Sequence, residues 1–486
     1  MSAGELGRSR RMLVLAICCM SLFIVGLDVT VVNVALPSIE HELHASVSGL
    51  QWVVASYSLV IASLLMLAGS TADRIGRRRT FQVGLALFTL GSLLCSLAPS
   101  LSALVAFRMV QAVGGSMLNP VAMSIITNTF TERTERARAI GIWGGVVGLS
   151  MALGPVVGGI LVSTIGWRSI FWVNIPVGIT AIILTALFVP ESKAPRARRF
   201  DPVGQLLVMI TLATLVYAII EGPGRGWRSP LITGCFAIAA IAGTGFAWYE
   251  TRRPEPLLDI RFFRSAPFAG ATLIAVSAFA GLGGFLLLST IYLQDVRGLS
   301  ALHAGLYMLP MAAMTAICSP LSGRIVAARG PRLPLIGAGI AITVSAIMLT
   351  RLSAGTSSIS LVISYLIFGL GFGLVNAPIT NTAMAGMPRT QAGVAAAVAS
   401  TSRQVGSSLG VAIIGSAVVS TLAGPIRTGF APASHVGWWL IAGCGVAVLA
   451  IGVITSGAWA RHTAELVAAD FGPAEEETDA EIEPAA

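Results

Sequence analysis

Runs of 18 to 27 apolar residues, broken by short clusters of charge or by Gly and Pro, recur along the whole chain. A helix rises 1.5 Å per residue, so about 20 apolar residues cross the ~30 Å hydrocarbon core of a bilayer. The pattern predicts fourteen membrane-spanning helices, at about 12–36, 48–69, 79–98, 101–126, 138–163, 168–189, 203–221, 230–248, 267–293, 301–323, 333–351, 358–384, 394–421 and 435–458. The first run follows Arg8, Arg10 and Arg11 as a signal peptide's would, but it is about 25 residues long and lacks a small-x-small exit, so it reads as a retained span.

Composition agrees with that pattern. Only 11% of the 486 residues are Asp, Glu, Lys or Arg and 55% are hydrophobic, whereas soluble proteins are roughly 25% charged. A soluble enzyme, a nucleic-acid reader and a disordered chain are all excluded. The net charge of +9 is explained by its placement. With both termini on the cytoplasmic side, twenty-three Lys and Arg residues fall in inner segments and six in outer ones, which is the positive-inside bias. The charge sets topology in a bacterial inner membrane and has no nucleic-acid partner. The six cysteines lie inside apolar runs without CxxC spacing, as small core hydrophobes. His41 and His44 flank Glu42, but HELH lacks the HExxH spacing and reads as a polar loop after Pro37, so no metal is expected.

The chain repeats itself weakly. GGSMLNPVAMSIITN (114–128) resembles GFGLVNAPITNTAMA (371–385), with Pro120 and Pro378 258 positions apart, and the loops at Gly76 and Gly330 are offset by 254. Such offsets imply two six-span halves separated by a two-span insert, the parallel-repeat plan that builds a midplane site between two rocking bundles. The expected architecture is therefore an all-α polytopic membrane protein. A cytoplasmic tail (1–11) is followed by an N-terminal bundle (12–190), a loop (191–202), the insert (203–248), a loop (249–266), a C-terminal bundle (267–458) and an acidic disordered tail (459–486).

Ionisable groups at membrane depth cost roughly 3 kcal/mol on insertion scales, so each is a functional candidate. Asp28 lies nine residues before Pro37, and Arg108 seven residues into span 4. Their depths are about 13 and 10 Å below the outer face, close enough to pair. They could form a static bridge between spans 1 and 4. They could equally form a proton switch, because burial favours a neutral carboxyl and a nearby guanidinium favours a charged one. Arg403 has no acidic partner at its depth, and Glu221 sits beside Gly-Pro-Gly; both are expected to be structural or interfacial. Span 5 carries Gly148, Gly154, Gly158 and Gly159 around Pro155, a bent small-residue face suited either to generic tight packing or to sealing a cavity against the other bundle. In the loop between spans 2 and 3, four arginines could serve as an orientation signal alone, but Asp73 among them suggests a latch that favours one conformation.

Four motifs together resemble the major facilitator superfamily, specifically its fourteen-span drug:proton antiporter family. They are LDVTVVNVALP (27–37), GSTADRIGRRR (69–79), RMVQAVGG (108–115) and GPVVGG (154–159), with QWVVASYSL (51–59) and WRSIFWVNIPVG (167–178) adding to the likeness. The resemblance implies Asp28 and Arg108 as proton-coupling residues. It also implies Gly69, Asp73, Arg74, Gly76, Arg77 and Arg78 as a cytoplasmic gate, and Gly148, Gly154, Pro155, Gly158 and Gly159 as an antiport helix. Ala112 replaces the usual Gly after the motif Gln, and Ala328 stands where a second Asp would complete the C-terminal loop copy. Spans 10 to 14 hold no acidic residue, which disfavours dicationic substrates.

The expected function is proton-driven export of amphipathic molecules by a monomer without cofactors, through an apolar cavity with Asn33, Gln111, Asn119, Asn376 and Asn381 as candidate lining residues. Export of a lipid or self-made natural product is the alternative within transport, and a transport-inactive receptor or scaffold the alternative outside it. No nucleophile, base or metal constellation supports an enzyme.

Overall fold

The computed structural model describes residues 7–193, 200–253, 256–385 and 392–470. The N-terminal bundle holds α1 (Arg8–Leu43), α2 (Val47–Ile75), α3 (Arg77–Ser96), α4 (Leu101–Thr129) and α5 (Arg133–Thr164), and a sixth span broken into α6 (Ser169–Trp172) and α7 (Asn174–Phe188). The insert is α8 (Pro202–Arg225) and α9 (Pro230–Glu250). The C-terminal bundle runs α10 (Ala266–Ile291), α11 (Ala301–Arg329), α12 (Arg332–Leu349), α13 (Ser358–Met384), α14 (Ala392–Thr421) and α15 (Ile426–Ile454), and α16 (Ala458–Asp470) follows it. Among the described residues, thirteen helices are long and apolar enough to cross a membrane. The fourteenth expected span, α3, spends its first three positions on Arg77, Arg78 and Arg79 and packs between α4 and α7.

Helix starts follow local chemistry. Ser46, Ser100, Asp201, Ser229, Ser300 and Ser357 each accept a backbone N–H three residues on, and Pro202 and Pro230 occupy first-turn positions where no donor is needed. Gly76, at φ +125°, makes the break between α2 and α3, and an added Cβ would stand 2.6 Å from Glu191 Oε1.

Two expectations are corrected. Helix α1 does not end before Pro37: it continues through Glu42 to Leu43, so the histidine pair lies on and just after a helix end rather than in a loop. Next to the proline, the neighbouring bundle reaches the helix backbone, where Gln294 Nε2 donates to Val34 O at 2.8 Å. The segment expected to be disordered from residue 459 begins as helix α16. Ala460, Ala464 and Val467 form a buried stripe at helical spacing, and Thr463 Oγ1 accepts from Ala266 N at 3.0 Å. The rest of the acidic tail, 471–486, lies outside the described residues.

The bundles meet at the end opposite the chain termini. There Gln51 Nε2 of α2 donates to the carbonyls of Val411 (2.9 Å) and Ala412 (3.0 Å) on α14, and Leu302 N of α11 donates to Ser163 Oγ of α5 at 3.2 Å. His41 Nε2 stands 3.6 Å from Asp295 Oδ1 across the same seam. Helix α8 packs on both α2 and α14 and so covers one side of this seam. Ser416 donates to Ile219 O at 2.7 Å, and Trp52 Nε1 donates to Glu221 Oε1 at 2.9 Å. Helix α9 lies outside α8 and exposes Ile238, Ile241 and Trp248.

Candidate transport site

Asp28 is on α1, and Arg108 and Gln111 are one turn apart on α4. Ser92 on α3 and Asn174 at the start of α7 face the same point. Arg108 Nη1 donates to Asp28 Oδ2 at 2.5 Å and to Gln111 Oε1 at 2.7 Å. Asp28 Oδ1 accepts from Gln111 Nε2 (2.8 Å) and Asn174 Nδ2 (3.1 Å), and Ser92 Oγ accepts from the same two amides at 2.8 and 3.3 Å. The guanidinium is held from the other side by Val53 O, 3.4 Å from Nε, and by the Tyr57 ring, 4.1 Å from its centroid. Both charged side chains are almost entirely buried, 2% exposed for Arg108 and 1% for Asp28.

The carboxylate thus accepts three donors from α4 and α7, which is how a buried ion pair offsets its desolvation. Ser92, Tyr57 and Asn174 were not singled out from the sequence. The available signal was an uncharged polar side chain within an apolar run, which is common and cheap.

The glycines of α5 divide between two neighbours. A Cβ on Gly154 would fall 1.8 Å from Thr30 Oγ1 and one on Gly158 3.3 Å from Val31 Cα, both on α1 of the same bundle. A Cβ on Gly159 would lie 2.7 Å from Leu302 Cα, and Gly305 packs against the Pro155 carbonyl, so these two positions hold α11 of the other bundle. Gly148 is on the same helix, and its surroundings lie outside the described residues.

In the α2–α3 loop, Asp73 Oδ1 accepts from Arg77 Nη2 at 3.0 Å within one bundle. The partner missed from the sequence is Glu191. Its Oε1 accepts from Arg78 N at 3.1 Å and its Oε2 stands 3.7 Å from Arg79 Nε, while Ser192 O accepts from Arg77 N at 2.9 Å. Arg74 is exposed, and Gly69 has open space beside it.

The five polar lining candidates do not gather at one place. Gln111 belongs to the Asp28 cluster. Asn33 lines a cavity of about 30 Å³ between the bundles, room for one water. This cavity is also walled by Arg108, Tyr57, Leu282, Leu286 and Ser407. Asn119 has a buried Oδ1 without a partner, Asn376 bonds its own helix at Phe372 O, and Asn381 is exposed.

A family model described as Major Facilitator Superfamily matches residues 18–411. The "Multidrug resistance protein Stp" of Mycobacterium tuberculosis is 40% identical over 408 residues, 84% of this chain and 76% of that one. The "Tetracenomycin C resistance and export protein" of Streptomyces glaucescens is 36% identical over 394 residues, covering 80% and 73%. Among solved structures, a bacterial homologue of the human lysosomal transporter Spinster, in an inward-facing and unoccupied conformation, matches with TM-score 0.62 at 19% identity. That match covers 96% of this chain and 98% of the other, a likeness of fold. The chain belongs to the major facilitator superfamily and is a multi-pass membrane transporter.

Proposed function

We propose that the chain is a proton-coupled antiporter that exports amphipathic small molecules across the bacterial inner membrane, with both termini in the cytoplasm. The observation that carries this reading is the buried Asp28–Arg108 pair, whose Arg108 is also one of the residues lining the inter-bundle cavity. A group shared between a buried ion pair and the substrate path couples the two. Protonation of Asp28 from the outer side breaks the pair and frees Arg108 to disturb the cavity, and loss of that proton to the cytoplasm restores the pair and the site, so proton and substrate exclude one another. The drug-resistance and export names of the relatives support export, and the seam closed away from the termini supports a crevice open to the cytoplasm in this state.

The test is substrate-dependent proton movement in proteoliposomes. With an acidic lumen, adding ethidium or 2-naphthoate outside is expected to accelerate proton exit above protein-free vesicles, and an uncoupler to abolish the difference. A receptor or scaffold would move neither protons nor probe.

A further inference from the structure

The C-terminal bundle holds a cation to which the reading above gives no role. Arg403 sits on α14 with its Nε buried and lacking an acceptor, while Nη2 donates to Thr380 Oγ1 of α13 at 2.5 Å. Its guanidinium stands 6.0 Å from the Phe279 ring of α10. Among the described residues no acidic side chain faces it, and α11 to α15 contain no Asp or Glu. An unpaired guanidinium at membrane depth is costly and is kept where it meets a ligand, water or another charge.

Its position supplies the ligand's route. Ser407, Leu282, Gly283 and Leu286 line the inter-bundle cavity beside Arg108. Arg403 precedes Ser407 by four residues, and Phe279 precedes Leu282 and Gly283 by three and four. Both therefore share those helix faces, one turn nearer the end where the bundles part. Arg403 is only partly buried, unlike Arg108. Phe279 meets Phe372 edge to face at 5.1 Å, an apolar wall beside the cation.

We propose that Arg403 is the recognition cation for amphipathic organic anions, substrates whose carboxylate or ionised phenolic oxygen accepts from the guanidinium while their ring system lies against Phe279. The proposal rests on the export reading and narrows its substrate class. Thr380 fixes one nitrogen of the fork and so orients the rest, and charge-assisted bonds of this kind are the strong ones.

Equilibrium dialysis of the purified full chain against 2-naphthoate, 2-naphthamide and a naphthyl-trimethylammonium salt tests it. The wild type is expected to bind naphthoate about tenfold more tightly than naphthamide. Arg403→Gln removes that preference and leaves naphthamide binding and the unfolding temperature in place, and Arg403→Lys keeps part of it. Equal affinities in the wild type, a preference that survives Arg403→Gln, or an equal loss for all three probes each overturns the proposal. Dialysis needs no proton gradient. A wild type that prefers naphthoate yet moves no protons with any probe would remove the export reading and leave the anion site.

Discussion

Each bundle carries one arginine at membrane depth, and the two are treated in opposite ways. Arg108 is enclosed: a carboxylate, an amide oxygen, a backbone carbonyl and an aromatic face take up its donors and its charge. Arg403 is left open, with a hydroxyl and a distant ring for company and a buried nitrogen without an acceptor. The same asymmetry marks the loops of equal rank, where Asp73 pairs with Arg77 in the first half and the second half has Ala327 and Ala328 at the corresponding place. Duplicated halves have thus diverged chemically. On the reading proposed above, the first holds a charge pair that exchanges a proton, and the second presents a charge that a ligand neutralises.

Breaking the enclosed half is expected to have the largest effect. Asp28→Asn keeps the shape and most hydrogen bonds but removes the exchangeable charge, and proton-driven transport in proteoliposomes is expected to fall to background while insertion stays normal. Arg108→Ala strands the carboxylate and should also abolish transport. Removing one partner of a buried pair costs about 3–5 kcal/mol, which a lower unfolding temperature would report. Arg108→Lys keeps the charge without the fork and is expected to retain part of the activity.

The seam between the halves comes next. Gly159→Leu drives a side chain into the α11 backbone at Leu302. Overpacking of this kind costs about 1–3 kcal/mol, so the variant is expected to lose transport while its substrate binding by dialysis persists. Smaller again is Asn174→Ala, which deletes one of three donors to Asp28. A bond to a charged group is worth about 1.5–3 kcal/mol, and transport rates are expected to drop several-fold. Gln51→Ala removes the paired contacts to Val411 and Ala412. It should loosen the closed seam enough to speed hydrogen exchange in α2 and α14, with the least effect on turnover.

The sequence made some of this legible for physical reasons. Long apolar runs mark spans because a bilayer demands them, and Asp28 and Arg108 stand out because ionised groups are rare at that depth. Ser92 and Asn174 did not, since an uncharged polar side chain inside a span costs little and many such residues only bond their own helix, as Thr30 and Asn376 do. Glu191 was hidden because its role depends on the end of the sixth span folding back beside Gly76, a tertiary fact with no periodic signature. Helix α16 was missed because a strongly acidic composition masked a short stripe of Ala460, Ala464 and Val467 that has a surface to pack on.

The most direct measurement follows the proton itself. Purified protein in weakly buffered detergent, mixed with saturating 2-naphthoate, is expected to release protons in the wild type and none in Asp28→Asn at equal ligand occupancy. Equal release from both proteins would contradict the assignment of Asp28 as the coupling group.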